Sequence, residues 1–387
     1  RINLFQNILL LIFILIDTLT ILFTNDRIFL TQNLLVKKDV LNVKKMVAPQ
    51  ELPDVYYLLF DCYPGKGFLK DYMQYDNGSL DSELQSRGFR VINNPKSNYN
   101  RTAFSMASVL NFEYLKNINN TTALLTKHYA HAQLTIRNAA VADVFEHLGY
   151  KIYNLSIFEF AGQRPVHREN FFTFPEKRVL LFNTLIERIR DDISWNLFTG
   201  KYSISFFRQM NNPKQSDIFE NEMQKKGFNK RIADSLEHIP MQNGQKPRFV
   251  YAHFYLPHPP FFYDENGIPN DPVLVIDEKA LINKKLFLSY LKYTNKVMLK
   301  MTDSILHKPG KPPVIIIQSD HGFRDFEGGP SVPYLYFKNY MAFYFPDKNY
   351  STLYDTMSNV NTFPVLFNKY FNTHIPLQKD TSTFLPY

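Results

Sequence analysis

One cysteine, Cys62, stands among 387 residues. That scarcity excludes a disulfide framework and any cluster held by several thiolates, so a metal site is expected to use His, Asp, Glu or hydroxyl ligands. No arginine-rich run, aromatic RNA-binding signature, zinc-finger spacing or internal repeat occurs. With 44 Lys+Arg against 36 Asp+Glu, the net charge of +8 suits an anionic substrate or a membrane surface and does not single out nucleic acid. Disordered and low-complexity classes are also excluded. At 45% hydrophobic, 16% aromatic and 21% charged residues, the chain has ample material for a large core.

Residues 2–23 read INLFQNILLLIFILIDTLTILF, with Asp17 as the one charge. A helix of that length crosses a hydrocarbon core of roughly 30 Å, and one mid-bilayer carboxylate costs about 2.5–3.5 kcal/mol on insertion scales. The stretch lacks the basic start, shorter apolar run and small-residue site of a cleaved signal. A transmembrane helix over 1–24 is therefore expected, as the last of a set whose earlier members lie upstream, followed by a juxtamembrane linker over 25–52. Arg27, Lys37, Lys38, Lys44 and Lys45 follow the span, and the positive-inside tendency alone places that flank in the cytoplasm.

From residue 53 the pattern alternates apolar β-branched or aromatic runs with helical stretches, the grammar of a largely parallel α/β sheet covered by helices. Val55–Phe60, Lys151–Ser156, Phe249–Tyr255 and Val314–Ser319 read as strands buried on both faces. Gly149 suits a helix C′ position leading into one strand. The catalytic body is read as 53–387, with a charge- and amide-rich helical insertion at 165–245.

Ligands of parallel sheets bind beyond the carboxyl ends of strands, where Asp61 follows one apolar run and Asp320-His321-Gly322 follows another. Two carboxylates and an imidazole suit Zn²⁺ or Mn²⁺, and an open coordination position makes such a site catalytic. An isolated strand-end Asp equally serves as a helix cap. Thr102 in SNYNRTAFSMAS, among the further hydroxyls Ser97, Ser105 and Ser108, reads by itself as a helix N-cap. His258 lies in a proline-rich loop after a strand, stiff enough to hold an imidazole in place, and imidazole is the side chain suited to proton transfer near neutral pH. His253, inside that strand, is a substrate contact or a buried histidine behind the site.

The ordered set PDVYYLLFD, LQSRGFRVINNPKSNYNRTAFSMAS, YAHFYLPHPPF and VIIIQSDHG resembles the sulfatase family of the alkaline phosphatase superfamily, over residues 53 to about 375. The resemblance implies a mixed sheet between helices, Asp61, Thr102, Asp320 and His321 around one divalent ion, and His258 contacting substrate or protonating the leaving oxygen. Asn100 and Arg101, beside the nucleophile, would hold phosphate oxygens. The resemblance also implies Thr102 as the nucleophile, ahead of Ser97, Ser105 and Ser108, and a Thr there cannot become formylglycine. It resembles the phosphoethanolamine and phosphoglycerol transferases, membrane-anchored enzymes that act outside the cytoplasmic membrane on lipid head groups or envelope glycans through a phosphothreonine. Where those transferases carry Glu, this chain has the shorter Asp61. Sulfuric-ester hydrolysis and a non-catalytic membrane-tethered binding role are the alternatives.

Cys62-Tyr63-Pro64-Gly65-Lys66 imitates a formylglycine motif but abuts Asp61 instead of lying about forty residues later. If the strand continues, its side chain alternates away from the crevice, and a buried small hydrophobe is expected.

Overall fold

All six side chains of β1 (Val55–Phe60) are buried. The strand carries no charged residue because parallel neighbours flank it: β4 (Arg248–Phe254) on one side and β5 (Val314–Gln318) on the other. Beyond β4 lies β3 (Lys151–Leu155), also parallel. Past β5 the sheet turns antiparallel through β6 (Met341–Tyr344) to the two-residue β2 (Arg90–Val91). The order is β2-β6-β5-β1-β4-β3. This computed structural model describes residues 7–16, 34–36, 52–165, 227–239, 246–276, 278–324, 326 and 332–386.

The four expected strands are present, with ends shifted by one residue in three of them, whereas β2 and β6 had no signal of their own. Met341–Tyr344 is four residues long inside an aromatic-rich stretch, too short for its alternation to stand out.

Helices cover the faces through periodic apolar stripes. Helix Lys284–Leu306 buries Phe287, Tyr290, Leu291, Thr294, Met298, Met301 and Ile305, and its N-cap Asn283 accepts the Leu286 N–H. Helix Ala140–His147 stacks Phe145 on Phe249 of β4 with ring centroids 4.0 Å apart, each buried ring contributing about 1.5–3 kcal/mol. Gly149 has φ +80, and the Tyr150 N–H donates to the Phe145 carbonyl, so the expected glycine closes this helix.

Most of the expected insertion at 165–245 falls outside the described residues. Within it, helix Phe228–Glu237 buries Phe228, Ile232 and Leu236. Its Asn229 brackets the end of β4, accepting from the Tyr255 N–H at 2.7 Å and donating to the Tyr255 carbonyl at 3.1 Å. Of the expected linker, residues 34–36 are tied to the body: the Leu35 N–H donates to Thr135 Oγ1, and the Lys116 N–H to the Leu35 carbonyl. The expected span at 2–23 is described only over residues 7–16, a helix whose side chains from Ile8 to Ile16 are all exposed. Among the described residues, no helix is long and apolar enough to cross a membrane.

Candidate active site and metal centre

Register brings the two acids together. Leu59 of β1 pairs with Gln318 of β5 and with His253 of β4, so the residues just past the strands, Asp61 and Asp320, emerge side by side. Both are fully buried. Asp61, Asp320 and His321 each place a ligand atom within 4.8 Å of the others.

Hydrogen bonding fixes the imidazole. Nδ1 of His321 lies 2.8 Å from the Gly322 carbonyl, which can only accept, so the proton resides on Nδ1 and Nε2 keeps a lone pair. That nitrogen lies 3.2 Å from Asp320 Oδ2 and 3.2 Å from Thr102 Oγ1. Burial first, then the Arg324 guanidinium, pushes His321 well below its ordinary range, with Arg101 and His253 adding to the effect. The ring is neutral at pH 7, as a ligand must be. Asp320 Oδ2 receives no hydrogen bond, while Oδ1 accepts the Cys62 N–H at 3.0 Å. Two buried carboxylates beside a neutral imidazole are the donor set of a divalent cation, whose charge would offset the cost of burying both acids. The residues therefore fit the expected ion.

A backbone network holds the Asp320–Gly322 turn. Asn339 and Asn359 both donate to the Ser319 carbonyl at 2.8 Å, and Ser105 Oγ donates to the Asp320 carbonyl at 2.6 Å. Gly322, after the acid and the imidazole, suits a sharp backbone turn. Its constraint is crowding instead, because a Cβ there would lie 2.4 Å from the Lys338 carbonyl oxygen.

Thr102 opens helix Thr102–Val109 and is buried. Arg101 occupies the N-cap position, so Thr102 is not the cap. Two of the three rivals point elsewhere: Ser105 bonds the Asp320 carbonyl and Ser108 the Glu113 carbonyl. Ser97 is buried without a hydrogen-bond partner for its Oγ.

Asn100 does not face the site as a phosphate contact. Its side chain is spent on the C-terminal segment, accepting the Leu385 N–H at 2.7 Å and donating to the Leu385 carbonyl at 3.0 Å. Arg101 Nη2 reaches the Pro386 carbonyl at 3.2 Å. Sequence reasoning missed Arg324, whose Nη1 donates to the Asn100 carbonyl at 3.1 Å. Three residues past His321, it sets a second guanidinium beside the Asn100–Thr102 segment, and no spacing rule marks it.

His253 is fully buried on β4, with Nε2 3.3 Å from Asp61 Oδ2. It backs the acid and does not reach the crevice. Burial lowers its pKa to about 4. His258 is partly exposed, its ring stacked on Tyr255 at 4.1 Å, with Nδ1 2.6 Å from the Pro259 carbonyl. Again the carbonyl assigns the proton to Nδ1 and leaves Nε2 as the working nitrogen.

Cys62 is buried in the core, as expected, but its side chain does not follow the strand alternation. Strand β1 ends at Phe60, and Cys62 adopts φ +64, so alternation no longer governs its side chain. Sγ turns back to lie 3.5 Å from His321 Nδ1.

No protein-family profile and no curated protein matches the chain. Solved structures do resemble it. The periplasmic domain of EcEptC from Escherichia coli, in complex with Zn, aligns with TM-score 0.47 and 11% identity over 87% of this chain and 90% of that one. The integral membrane lipooligosaccharide phosphoethanolamine transferase A from Neisseria meningitidis gives TM-score 0.45 and 11% identity over 82% of this chain. This chain spans 55% of that protein's length. A putative sulfatase from Bacteroides thetaiotaomicron gives TM-score 0.45 and 15% identity over 86% of this chain and 74% of its own.

Proposed function

We propose that this chain is a membrane-anchored, metal-dependent enzyme that cleaves or transfers phosphate esters through Thr102. The observation that carries the reading is the 3.2 Å contact between Thr102 Oγ1 and His321 Nε2, at the point where Asp61, Asp320 and His321 converge. Those three residues and Thr102 would hold one Zn²⁺ or Mn²⁺. Such an ion supplies Lewis acidity, which lowers the pKa of a hydroxyl and offsets charge on phosphoryl oxygens.

Thr102 Oγ1 releases its proton to solvent and attacks phosphorus, the bond from phosphorus to the leaving oxygen breaks, and phospho-Thr102 forms; Thr102 takes a proton back from solvent when it is displaced. His258, at the half-open rim, acts as the imidazolium: Nδ1–H stays on the Pro259 carbonyl, and a proton taken up at Nε2 passes to the leaving oxygen. Water or an acceptor hydroxyl then displaces Thr102 and returns a proton to His258. Arg101 and Arg324 set positive charge beside the nucleophile segment, and the first turn of helix Thr102–Val109 presents N–H groups favourable to an oxyanion. Asp61 is oriented by His253 behind it.

Anchoring is supported by the exposed apolar helix at 7–16. With a phosphoryl-transferring threonine, it points to lipid head groups or envelope glycans as substrates and to a catalytic body outside the cytoplasmic membrane. The test is turnover of nitrophenyl phosphate mono- and diesters and of nitrophenyl sulfate, with Mn²⁺ or Zn²⁺ and with chelator. Metal-dependent phosphate-ester cleavage that traps phosphate on Thr102 is the expected result. Cleavage of the sulfate ester alone would overturn the reading.

A further inference from the structure

A cleft of about 410 Å³, with Lys96, Tyr334, Lys338, Asp380 and Ser382 in its lining, takes no part in the chemistry at Thr102. Its size falls within the range of small-molecule sites, roughly 300–1,000 Å³. Lys96 and Lys338 are partners in an antiparallel bridge. Residues so opposed share one face with Cβ atoms about 4.5–5.5 Å apart, and like charges there destabilise the pair. Among the described residues neither ammonium has a hydrogen bond or ion pair. An anion held between them would turn that repulsion into attraction.

Asp380 lines the same cleft without pairing with either lysine. Its Oδ1 is taken up by four donors: the Tyr354 hydroxyl at 3.1 Å, the Ser358 N–H at 2.9 Å, Ser358 Oγ at 2.7 Å and Asn361 Nδ2 at 3.1 Å. Those bonds fix the carboxylate plane, and Oδ2 receives no hydrogen bond from the described residues. That oxygen is left to accept from a donor in the cleft. Tyr334 is 62% exposed and adds an aromatic ring to the lining.

We infer that this cleft binds a sugar unit bearing an anionic group, phosphate or carboxylate. The anion lies between Lys96 and Lys338, a sugar hydroxyl donates to Asp380 Oδ2, and the apolar face of the sugar ring rests on Tyr334. A bare anion meets the Asp380 carboxylate, and a neutral sugar leaves the two ammoniums opposed, so each half of the ligand is selected by a penalty on the other alone.

All three walls continue into the catalytic region. Lys96 is six residues before Thr102, a reach of at most about 22 Å. The Lys338 carbonyl lies against Gly322, whose N–H donates to the Tyr336 carbonyl at 2.7 Å. From Asp380 the chain runs beside the nucleophile segment, with Ser382 Oγ donating to the Ser97 carbonyl at 2.7 Å and the Thr383 N–H to the Asn98 carbonyl at 2.8 Å. A glycan gripped here extends towards Thr102 through its neighbouring units. The cleft's part in phosphoryl transfer, as the subsite for the acceptor glycan, rests on the function proposed above, whereas its affinity for the sugar does not.

The test is saturation-transfer NMR on the full chain, with glucose 6-phosphate and glucuronate as ligands, glucose as the neutral control and inorganic phosphate as competitor, each with and without chelator. Transfer to the ring protons of an anionic sugar, surviving chelator, is expected, and the two ligands distinguish phosphate from carboxylate. Lys96→Ala and Lys338→Ala should each weaken binding about tenfold, and Tyr334→Ala, at an exposed position, should lose the ring-proton transfer. Glucose binding as well as both anionic sugars overturns the inference, as does displacement by an equal concentration of inorganic phosphate. So does binding that chelator abolishes, which belongs to the metal centre, or binding untouched by all three substitutions. Tyr334→Ala decides if the lysine variants do not fold. Turnover of nitrophenyl phosphate on the same samples separates the two readings: sugar binding without turnover refutes the proposed function and leaves the cleft standing.

Discussion

The backbone N–H of Cys62 donates to Oδ1 of Asp320 across 3.0 Å, joining the turn after β1 to the turn after β5. The bond orients Asp320 so that Oδ1 is satisfied and Oδ2, 3.2 Å from His321 Nε2, faces the site. Residues 258 apart in sequence are thereby held as one unit.

Asp320→Asn keeps an oxygen acceptor for Cys62 and removes the charge. The variant is expected to fold and to lose the ion of the Asp61–Asp320–His321 site. An ion bound only by the native state adds about 2.7 kcal/mol at a hundredfold excess over its Kd. Chelator should therefore lower the melting temperature of the wild type more than that of Asp320→Asn, by calorimetry with and without added zinc. Equal shifts would remove Asp320 from the ligand set.

Thr102→Ala removes the proposed nucleophile at the start of a buried helix while Arg101 retains the N-cap position. Turnover should fall by at least about 10³-fold, with the thermal transition little changed. Thr102→Ser retains a hydroxyl and is expected to retain measurable activity and to trap phosphate, seen as the mass of one phosphoryl group on the intact chain. Wild-type turnover in Thr102→Ala would refute the mechanism.

Gly322→Ala forces a methyl to within 2.4 Å of the Lys338 carbonyl oxygen and 3.0 Å of the Leu335 carbonyl oxygen. Backbone cannot rotate aside as a side chain does, so the expected cost is about 1–3 kcal/mol, measured by urea unfolding. His321 precedes the displaced residue, and zinc affinity should fall as well.

Alkaline stability follows from buried phenols. Burial raises Tyr56 and Tyr99 to about 12 from an ordinary 10. Between those values the unfolded chain sheds protons that the native state keeps, so stability is complete below pH 10 and declines as pH rises towards 12. Each tyrosine contributes at most about 3 kcal/mol to that decline. Tyr56→Phe should flatten the slope of unfolding free energy against pH in this window by about one proton. An unchanged slope would show that Tyr56 titrates normally.

Much of the scaffold is written locally. Val55–Phe60, Val314–Gln318 and the helix closed by Gly149 are legible because burial on both faces demands unbroken apolar runs and a left-handed helix end favours glycine. Asp61, Asp320 and His321 are legible for a related reason, since polar residues directly after such runs stand where parallel strands open onto a crevice. Expectations failed where a residue's partner lies far along the chain. Asn100 reads as a phosphate contact beside Thr102, yet Leu385 takes both ends of its amide. His253 reads as a substrate contact or as a buried histidine behind the site, and the β1–β4 register selects the second by setting it behind Asp61.

The amino-acid sequence by itself determined the α/β architecture and the strand ends that carry the acids, because periodicity and strand-end polarity act over a few residues. Tertiary structure alone decided which hydroxyl faces His321, which carbonyls hold the imidazole protons, and that Cys62 turns towards the site. Those outcomes depend on sheet order and on one left-handed residue after β1, and neither is a property of neighbouring side chains.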